Sequence, residues 1–264
     1  TFFSLSISIL LKILLKILFK MKVAYFSDLH LDLKGESIYK NIETFMKAND
    51  LDTAFVTGDM SNGIHLTYHL KQLAKVIPKI YFTLGNHCYY FSSLWKVEDQ
   101  VHDLTSRYTN LHWLSELPPI ELAADTALIG SEGWTGSKPG LERISLENFL
   151  VKEFNNNLSF KEFQLYKNSI LEYKLLQASK DYKKVIILTH FPPLWTKSHL
   201  FDFYWKCYNV NSDLIRIIRK FPETDITMYS GHTHENASYY SNNWRCHTIN
   251  PSYRELTQRN IIAI

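Results

Sequence analysis

The chain has 264 residues, of which 45% are hydrophobic and 14% aromatic, and its formal net charge is +3. This composition supplies enough apolar side chains for a sizeable buried core and excludes a low-complexity or disordered chain. Residues 1–20 contain three lysines and no acidic residue, so the rest of the chain carries 26 basic and 26 acidic side chains. A nucleic-acid binder is therefore not expected, because phosphate-dominated binding needs clustered positive charge.

The cysteines indicate a reducing compartment. There are three of them, widely spaced and without a Cys-x-x-Cys pair: Cys88, Cys207 and Cys246. Neither a disulfide framework nor a thiolate zinc site is expected from this pattern. We therefore predict a cytoplasmic protein.

Residues 1–20 form an apolar segment in which a polar residue recurs at every fourth position, so that a helix would carry one narrow polar stripe. A membrane span is disfavoured, because Lys12 and Lys16 would each cost about 2.5–3.5 kcal/mol at its centre. A secretory signal would place its charge before the apolar run. We expect an interfacial helix with peripheral membrane contact. The alternative is that residues 1–20 are not native structure, since Met21 opens a strand pattern as an initiator methionine would. In either case we expect residues 21–264 to form a single domain.

From residue 21 onward, one pattern repeats: a short apolar run followed by a polar loop that contains His, Asp or Asn. Each run is rich in β-branched or aromatic residues, which predicts a buried strand. The five runs are residues 23–26, 53–56, 80–84, 185–188 and 226–229.

Helix-like stretches separate the first strands, at residues 38–48 and 64–77, and a longer one covers residues 159–180. Strand–helix alternation predicts right-handed βαβ units in a mainly parallel sheet, with ligands beyond the carboxyl ends of the strands. Residues 120–131 and 238–248 predict further short strands. We expect two sheets packed face to face and flanked by helices, with no domain boundary.

The polar loops together carry a set of metal-ligating residue types. A single Asp or His after a strand is usually a cap or a turn residue, but here two carboxylates, one amide and five histidines occupy that setting. Mixed imidazole and carboxylate ligands suit Mn, Fe, Zn, Co or Ni rather than Ca or Mg alone. The other six histidines have no such setting and are expected to be surface or core residues. The candidates are Asp28, His30, Asp59, Asn86, His87, His190, His232 and His234.

Five motifs carry these candidates, in the order Asp28-x-His30, Gly58-Asp59, Gly85-Asn86-His87, His190 and Gly231-His232-x-His234. In order and spacing they resemble the calcineurin-like metallophosphoesterase family, and they cover roughly residues 23–235. The resemblance implies an α/β fold, a four-layer αββα sandwich with two mixed β-sheets. It also implies a dinuclear centre of two divalent transition-metal ions, manganese among the candidates.

The resemblance also assigns roles to the candidates. The ligands of the first metal ion are implied to be Asp28, His30, Asp59 and His234. The second ion is implied to be bridged by Asp59 and completed by Asn86, His190 and His232. A hydroxide that bridges the two ions would attack phosphorus in line. His87 would bind the phosphoryl oxygens or protonate the leaving group.

Two positions depart from the commonest pattern of the family. Cys88 stands where Asp or Glu is usual, and Asn62 stands where an Asp often orients the active-site histidine. Because Asn62 cannot stabilise a cationic His87 as a carboxylate does, we expect weak general-acid catalysis. Cys88 is not the nucleophile of a Cys-x5-Arg phosphatase, since Leu94 stands where the arginine is needed. We predict that it is a small packing residue.

The substrate is expected to be a small phosphodiester or nucleotide-like ester, hydrolysed by a phosphodiesterase-like enzyme. No arginine adjoins the Gly-Asp or Gly-Asn-His motif, whereas a phosphomonoester dianion benefits from a bidentate arginine. The alternatives are a phosphomonoesterase, protein phosphatases included, and a non-catalytic interaction scaffold of the same fold. Candidate substrate contacts are Asn62, Trp195 and Trp205. Trp134 is a second candidate for the rim of the site. For all three tryptophans the alternative is packing of a long loop or an oligomer contact.

Overall fold

The computed structural model describes residues 21–35, 37–135, 160–194, 210–249 and 256–264. Residues 1–20 lie outside the described ranges, and so do Trp195 and Trp205. The interfacial helix, the membrane contact and the two tryptophan contacts therefore stay predictions. No helix within the described ranges is long and apolar enough to cross a membrane.

Eleven β-strands and six α-helices are formed by the described residues. The strands are β1 (Lys22–Phe26), β2 (Thr53–Thr57), β3 (Lys79–Thr83), β4 (Leu111–Trp113), β5 (Ile120–Ala123), β6 (Thr126–Gly130), β7 (Lys184–Leu188), β8 (Asp225–Ser230), β9 (Ala237–Tyr240), β10 (Trp244–Thr248) and β11 (Ile261–Ala263). The helices are α1 (Leu31–Lys34), α2 (Ser37–Ala48), α3 (Leu66–Val76), α4 (Leu94–Arg107), α5 (Phe160–Asp181) and α6 (Asp213–Ile218).

Both sheets are mixed, and each has a parallel centre. The first has the order β11-β1-β2-β3-β4, with β11 antiparallel to β1 and the other neighbours parallel. The second has the order β5-β6-β7-β8-β10-β9, with β5 and β9 antiparallel at its two edges. The parallel strands of each sheet therefore end at one common edge, where ligands of α/β folds bind.

Alternation along the strands builds four layers. Phe55 of β2 and Ile186 of β7 belong to the apolar cluster between the two sheets. Their neighbours Val56 and Ile187 belong to two other clusters, which join the first sheet to α2, α3 and α4 and the second sheet to α5 and α6. The molecule is therefore an αββα sandwich with two mixed sheets, and the predicted fold is confirmed.

Most of the predicted elements agree with the structure. The differences are a short turn, short strands and helices that were not recognised. The expected strand at residues 120–131 is a hairpin, β5 and β6, which turns at Ala124-Asp125. Helix α4 was missed, although its apolar residues recur at helical spacing and the Ser93 side chain caps it by accepting a hydrogen bond from the backbone N–H of Lys96. The short strands β4 and β11 and the short helices α1 and α6 were missed as well.

Candidate metal centre

The candidate residues lie in the loops that follow β1, β2, β3, β7 and β8. The first three loops belong to the first sheet and the other two to the second sheet. Because all five strands end at the same edge of the sandwich, residues far apart in sequence come within contact distance. Backbone hydrogen bonds join the loops, with Asp28 N–H donating to Gly58 O at 3.2 Å and His30 N–H donating to Asp59 O at 2.9 Å.

The backbone at the centre is unusual. Seven non-glycine residues of the described ranges have a positive φ, and five of these seven are candidate ligands. Such conformations cost free energy in L-residues and cluster at functional sites, where the surrounding structure holds them. The five are Asp28 (φ 50°), His30 (41°), Asp59 (46°), His232 (69°) and His234 (52°).

Two glycines of the motifs allow the ligand side chains to approach the backbone. Gly58 has φ 85°, and a Cβ atom there would overlap the imidazole of His190. A Cβ atom on Gly85 would overlap the carboxylate of Asp59. Both motifs therefore need glycine for close packing, and Gly58 is also needed for its positive φ.

The first ligand group consists of Asp28, His30 and His234. The Nε2 atom of His234 lies 3.3 Å from Oδ1 of Asp28 and 3.5 Å from Nε2 of His30. Asp28 is fully buried, and both of its oxygens also lie 3.1 Å from the backbone N–H of His232. The carboxylate is thus held ionised and aimed at the two imidazoles.

The second group consists of Asp59, His190 and His232, and Asn86 adjoins it. The Nε2 atom of His190 lies 3.3 Å from Asp59 Oδ2, 2.9 Å from Asn86 Oδ1 and 3.2 Å from His232 Nδ1. The other ring nitrogen, Nδ1, donates to the carbonyl oxygen of Thr57 at 2.9 Å. In the neutral ring, Nε2 therefore presents a lone pair to the other three atoms.

Asp59 connects the two groups. It belongs to the set Asp59, His190 and His232 and also to a third set, His30, Asp59 and His87. In each set the ligand atoms lie within 4.8 Å of one another. His87 is fixed next to this carboxylate, because its backbone N–H donates to Asp59 Oδ1 at 2.8 Å.

The pKa values of these groups follow from burial and mutual charge. Burial opposes ionisation of His190, but the nearby Asp59 carboxylate outweighs it and raises the pKa of His190 to about 9. Burial and the charge on His190 lower the pKa of His232 to about 3. Burial alone would raise the pKa values of Asp28 and Asp59, but the surrounding histidines hold both below the ordinary value. Both carboxylates are therefore anionic at neutral pH.

The donor set fits divalent transition-metal ions. Asp59 Oδ2, Asn86 Oδ1 and the lone-pair nitrogens of His190 and His232 converge, and one proton can satisfy only one of these contacts. A cation satisfies them all at once. Imidazole nitrogens with carboxylate and amide oxygens suit Mn, Fe, Co, Ni or Zn. The group of Asp28, His30 and His234 adjoins the group of Asp59, His190 and His232, because His30 and Asp59 also lie together in the third set. Two adjoining groups of this kind are the arrangement that a dinuclear centre needs.

Two supporting residues were not found from the sequence. The amide nitrogen of Asn86 donates to the Tyr90 hydroxyl at 2.7 Å, which turns the amide oxygen of Asn86 toward His190. The backbone carbonyl of Glu132 accepts hydrogen bonds from the backbone N–H groups of His190 (3.0 Å) and Phe191 (3.1 Å). Glu132 follows the buried strand β6 in the same way as the candidate ligands follow their strands, and this signal could have identified it.

Three other residues singled out in the sequence have structural partners. The Asn62 side chain donates to Asp32 Oδ2 at 2.9 Å and accepts from the backbone N–H groups at the start of α3, so among the described residues its hydrogen bonds do not orient His87. A contact between Asn62 and substrate stays a prediction. Cys88 is buried in the core, where burial and the Asp59 charge raise its pKa to about 12. Trp134 is a core residue that packs against Phe191, so it does not form a rim.

Comparisons with known proteins identify the family and show similar folds. Residues 21–236 match the family model of calcineurin-like phosphoesterases. An uncharacterised protein of Acanthamoeba polyphaga mimivirus is 27% identical, and the match covers 83% of this chain and 86% of that protein. Among solved structures, the fold is similar to that of a phosphopantetheinyl hydrolase from Mycobacterium tuberculosis, with a TM-score of 0.62, 12% identity and coverage of 93% and 97% of the two chains. A dimetal phosphatase from Danio rerio is also similar, with a TM-score of 0.57, 13% identity and coverage of 88% and 87%.

Proposed function

Because this chain belongs to the calcineurin-like phosphoesterase family, we propose that it hydrolyses a small phosphodiester or nucleotide-like ester with two divalent metal ions. One observation carries the proposal: two ligand groups adjoin, since the buried carboxylate of Asp59 belongs to the group with His190 and His232 and also lies within ligand distance of His30 in the other group. When bound, two such cations polarise a phosphoryl group and lower the pKa of the attacking water. Asp28, His30 and His234 would hold one ion, and Asn86, His190 and His232 the other.

We assign the proton transfer to His87. Its backbone is tied to Asp59, its ring lies 4.6 Å from that of His30 and 4.2 Å from that of Tyr90, and its side chain is half-buried. The imidazole therefore borders the centre and is accessible to substrate. It would protonate the leaving-group oxygen, or hydrogen-bond to a phosphoryl oxygen.

The sequence of the motifs supports a diester over a monoester, because no arginine adjoins the Gly-Asp or Gly-Asn-His motif. Within the described residues, the ion-pair partners of Asp28 and Asp59 are histidines. A monoester dianion benefits from the two parallel hydrogen bonds of an arginine guanidinium, whereas a diester carries a single negative charge and needs less positive charge from the protein. This supports a phosphodiesterase, with a phosphomonoesterase as the competing activity.

The test compares bis-p-nitrophenyl phosphate with p-nitrophenyl phosphate, using manganese-reconstituted protein. We expect the higher kcat/KM for the diester and a loss of at least about 10³-fold in Asp59→Asn. Asp103→Asn, on the exposed face of α4, is the matched control and should retain the activity. A higher kcat/KM for the monoester would reverse the assignment, and no hydrolysis of either ester by metal-loaded protein would favour a non-catalytic scaffold.

A further inference from the structure

Three large apolar side chains are exposed in the segments that carry the candidate ligands, one of them in the short helix α1. Leu33 is 72% exposed, Ile64 62% and Phe91 52%, and they lie in the segments after β1, β2 and β3, respectively. We call these three residues the apolar rim. Exposed apolar residues that occur singly need no explanation, but residues that share one functional edge indicate a binding surface.

Hydrogen bonds hold the three loops together. The side chain of Asn62 donates to Asp32 Oδ2 at 2.9 Å, and the backbone N–H of Gly63 donates to Tyr90 O at 3.0 Å. Asp32, Gly63 and Tyr90 each directly precede a rim residue. The rim residues therefore belong to one connected part of the surface.

A series of ring contacts connects this surface to the metal centre. The ring centroids of His30 and His87 are 4.6 Å apart, those of His87 and Tyr90 4.2 Å, and those of Tyr90 and Phe91 6.5 Å. A substrate group that extends from a phosphoryl group at His87 would meet these rings within a few ångströms. The rim is thus continuous with the site of the proposed reaction.

The backbone of Phe91 supports a binding role. Its φ is 64°, and among the described residues with positive φ it is the one with a hydrocarbon side chain. Bulky residues rarely adopt this conformation, which clusters at ligand sites. In this conformation the aromatic ring of Phe91 is about half exposed to solvent, so its packing contributes little to the stability of the fold.

We propose that the apolar rim binds the organic group of the substrate, so that the enzyme selects phosphoesters with an aryl or other large apolar substituent. This inference rests on the proposed function. Ligand sites typically combine a few polar groups that fix orientation with apolar walls that supply affinity. In this centre the metal ligands would fix the phosphoryl group, and the rim would remove the apolar substituent from water.

The test uses p-nitrophenyl phosphodiesters that keep the same leaving group and carry methyl, phenyl or naphthyl as the second ester group. The variant is Leu33→Ser, Ile64→Ser and Phe91→Asn together, with asparagine chosen because it tolerates a positive φ. Tyr240→Ser is the matched control, since Tyr240 is 72% exposed on the edge strand β9. The same proteins are titrated with naphthylphosphonate and methylphosphonate, which gives a Kd ratio independent of turnover.

We expect the naphthyl-to-methyl ratio of kcat/KM to fall at least about fivefold in the triple variant and to stay constant in the control. The Kd ratio should change in parallel. If the enzyme is active and neither ratio changes, the inference is wrong while the proposed function stands. If no ester is hydrolysed, the proposed function fails and the Kd ratio alone decides. Loss of flotation with phosphatidylcholine vesicles at unchanged ratios would identify the rim as a membrane contact and overturn the proposal.

Discussion

The Nε2 atom of His190 lies 3.3 Å from the Oδ2 atom of Asp59, and both side chains are buried at the junction of the two sheets. In the metal-free protein, the carboxylate raises the pKa of the imidazole to about 9. The ring is therefore protonated at pH 7.5, whereas a metal ligand must be neutral.

We predict that metal binding at pH 7.5 releases at least one proton per chain. Since the folded pKa lies above the ordinary 6.5, affinity should rise up to about tenfold per pH unit toward pH 9. Calorimetric titration with Mn²⁺ in buffers of different ionisation enthalpy measures the release. Binding without proton release at pH 7.5, or with an affinity independent of pH, would show that His190 is not a ligand.

Tyr90→Phe should weaken metal binding about tenfold without unfolding the protein. The variant removes the hydroxyl that accepts a hydrogen bond from Asn86, and the amide oxygen of Asn86 then loses its fixed direction. The measurement is the Kd for Mn²⁺, with exposed Tyr240→Phe as the control. An unchanged Kd would mean that other contacts orient the amide.

Glu132→Ala should destabilise the fold by about 3–5 kcal/mol, because it breaks a buried charged network. The carboxylate is fully buried, accepts a hydrogen bond from Trp113 Nε1 at 3.2 Å and lies 3.9 Å from Lys167 Nζ. The free energy of unfolding in urea measures the loss. Glu121→Ala, in the exposed edge strand β5, should cost less than about 0.5 kcal/mol. Equal effects in the two variants would contradict this account of the network.

Lys174 should make the stability of the protein increase with pH in the alkaline range. Its ammonium group is buried and donates to the carbonyls of Leu114 and Ser115, both at 2.7 Å. Burial lowers its pKa to about 8, although the charge of Glu132 opposes this. Between pH 8 and the ordinary value of 10.5, the unfolded chain binds more protons than the folded one, so stability gains with rising pH.

Relative to Lys174→Met, the wild-type protein should therefore gain on the order of 3 kcal/mol between pH 7.5 and pH 10.5. Tyrosines and cysteines that titrate in this range are common to both proteins and cancel in the difference. Urea unfolding at the two pH values gives the comparison. A difference that stays constant with pH would mean that Lys174 keeps its proton in the folded state.

Local patterns in the sequence predicted the strands and placed the candidate ligands at the strand ends, and the family resemblance supplied the four-layer fold that brings the two sheets together. Short β-branched runs predict strands, and the carboxyl ends of neighbouring parallel strands meet at one edge of their sheet, which places Asp28 near Asp59. The approach of His190 from the second sheet depends on how the two sheets pack. The positive φ of His232 cannot be predicted from the presence of a histidine at this position, because tertiary contacts hold the backbone in that conformation. Local pattern thus locates the centre but does not give its geometry.

The contacts that support the ligands could not be predicted from the sequence, because they depend on which side chains meet in the folded protein. Tyr90 acts on Asn86 four positions away, yet no spacing rule distinguishes it from its neighbour Tyr89, which is a core residue. Asn62 was expected beside His87, and the structure gives it a hydrogen bond to Asp32 instead. Side-chain direction, which decides such cases, follows from packing.

The most direct measurement of the central claim is anomalous diffraction from crystals soaked in Mn²⁺. We predict two peaks about 3.5–4 Å apart, with the carboxylate of Asp59 between them. One peak should adjoin Asp28 and His234, and the other His190 and His232. A single peak, no peak, or ions bound away from Asp59 would contradict the dinuclear centre.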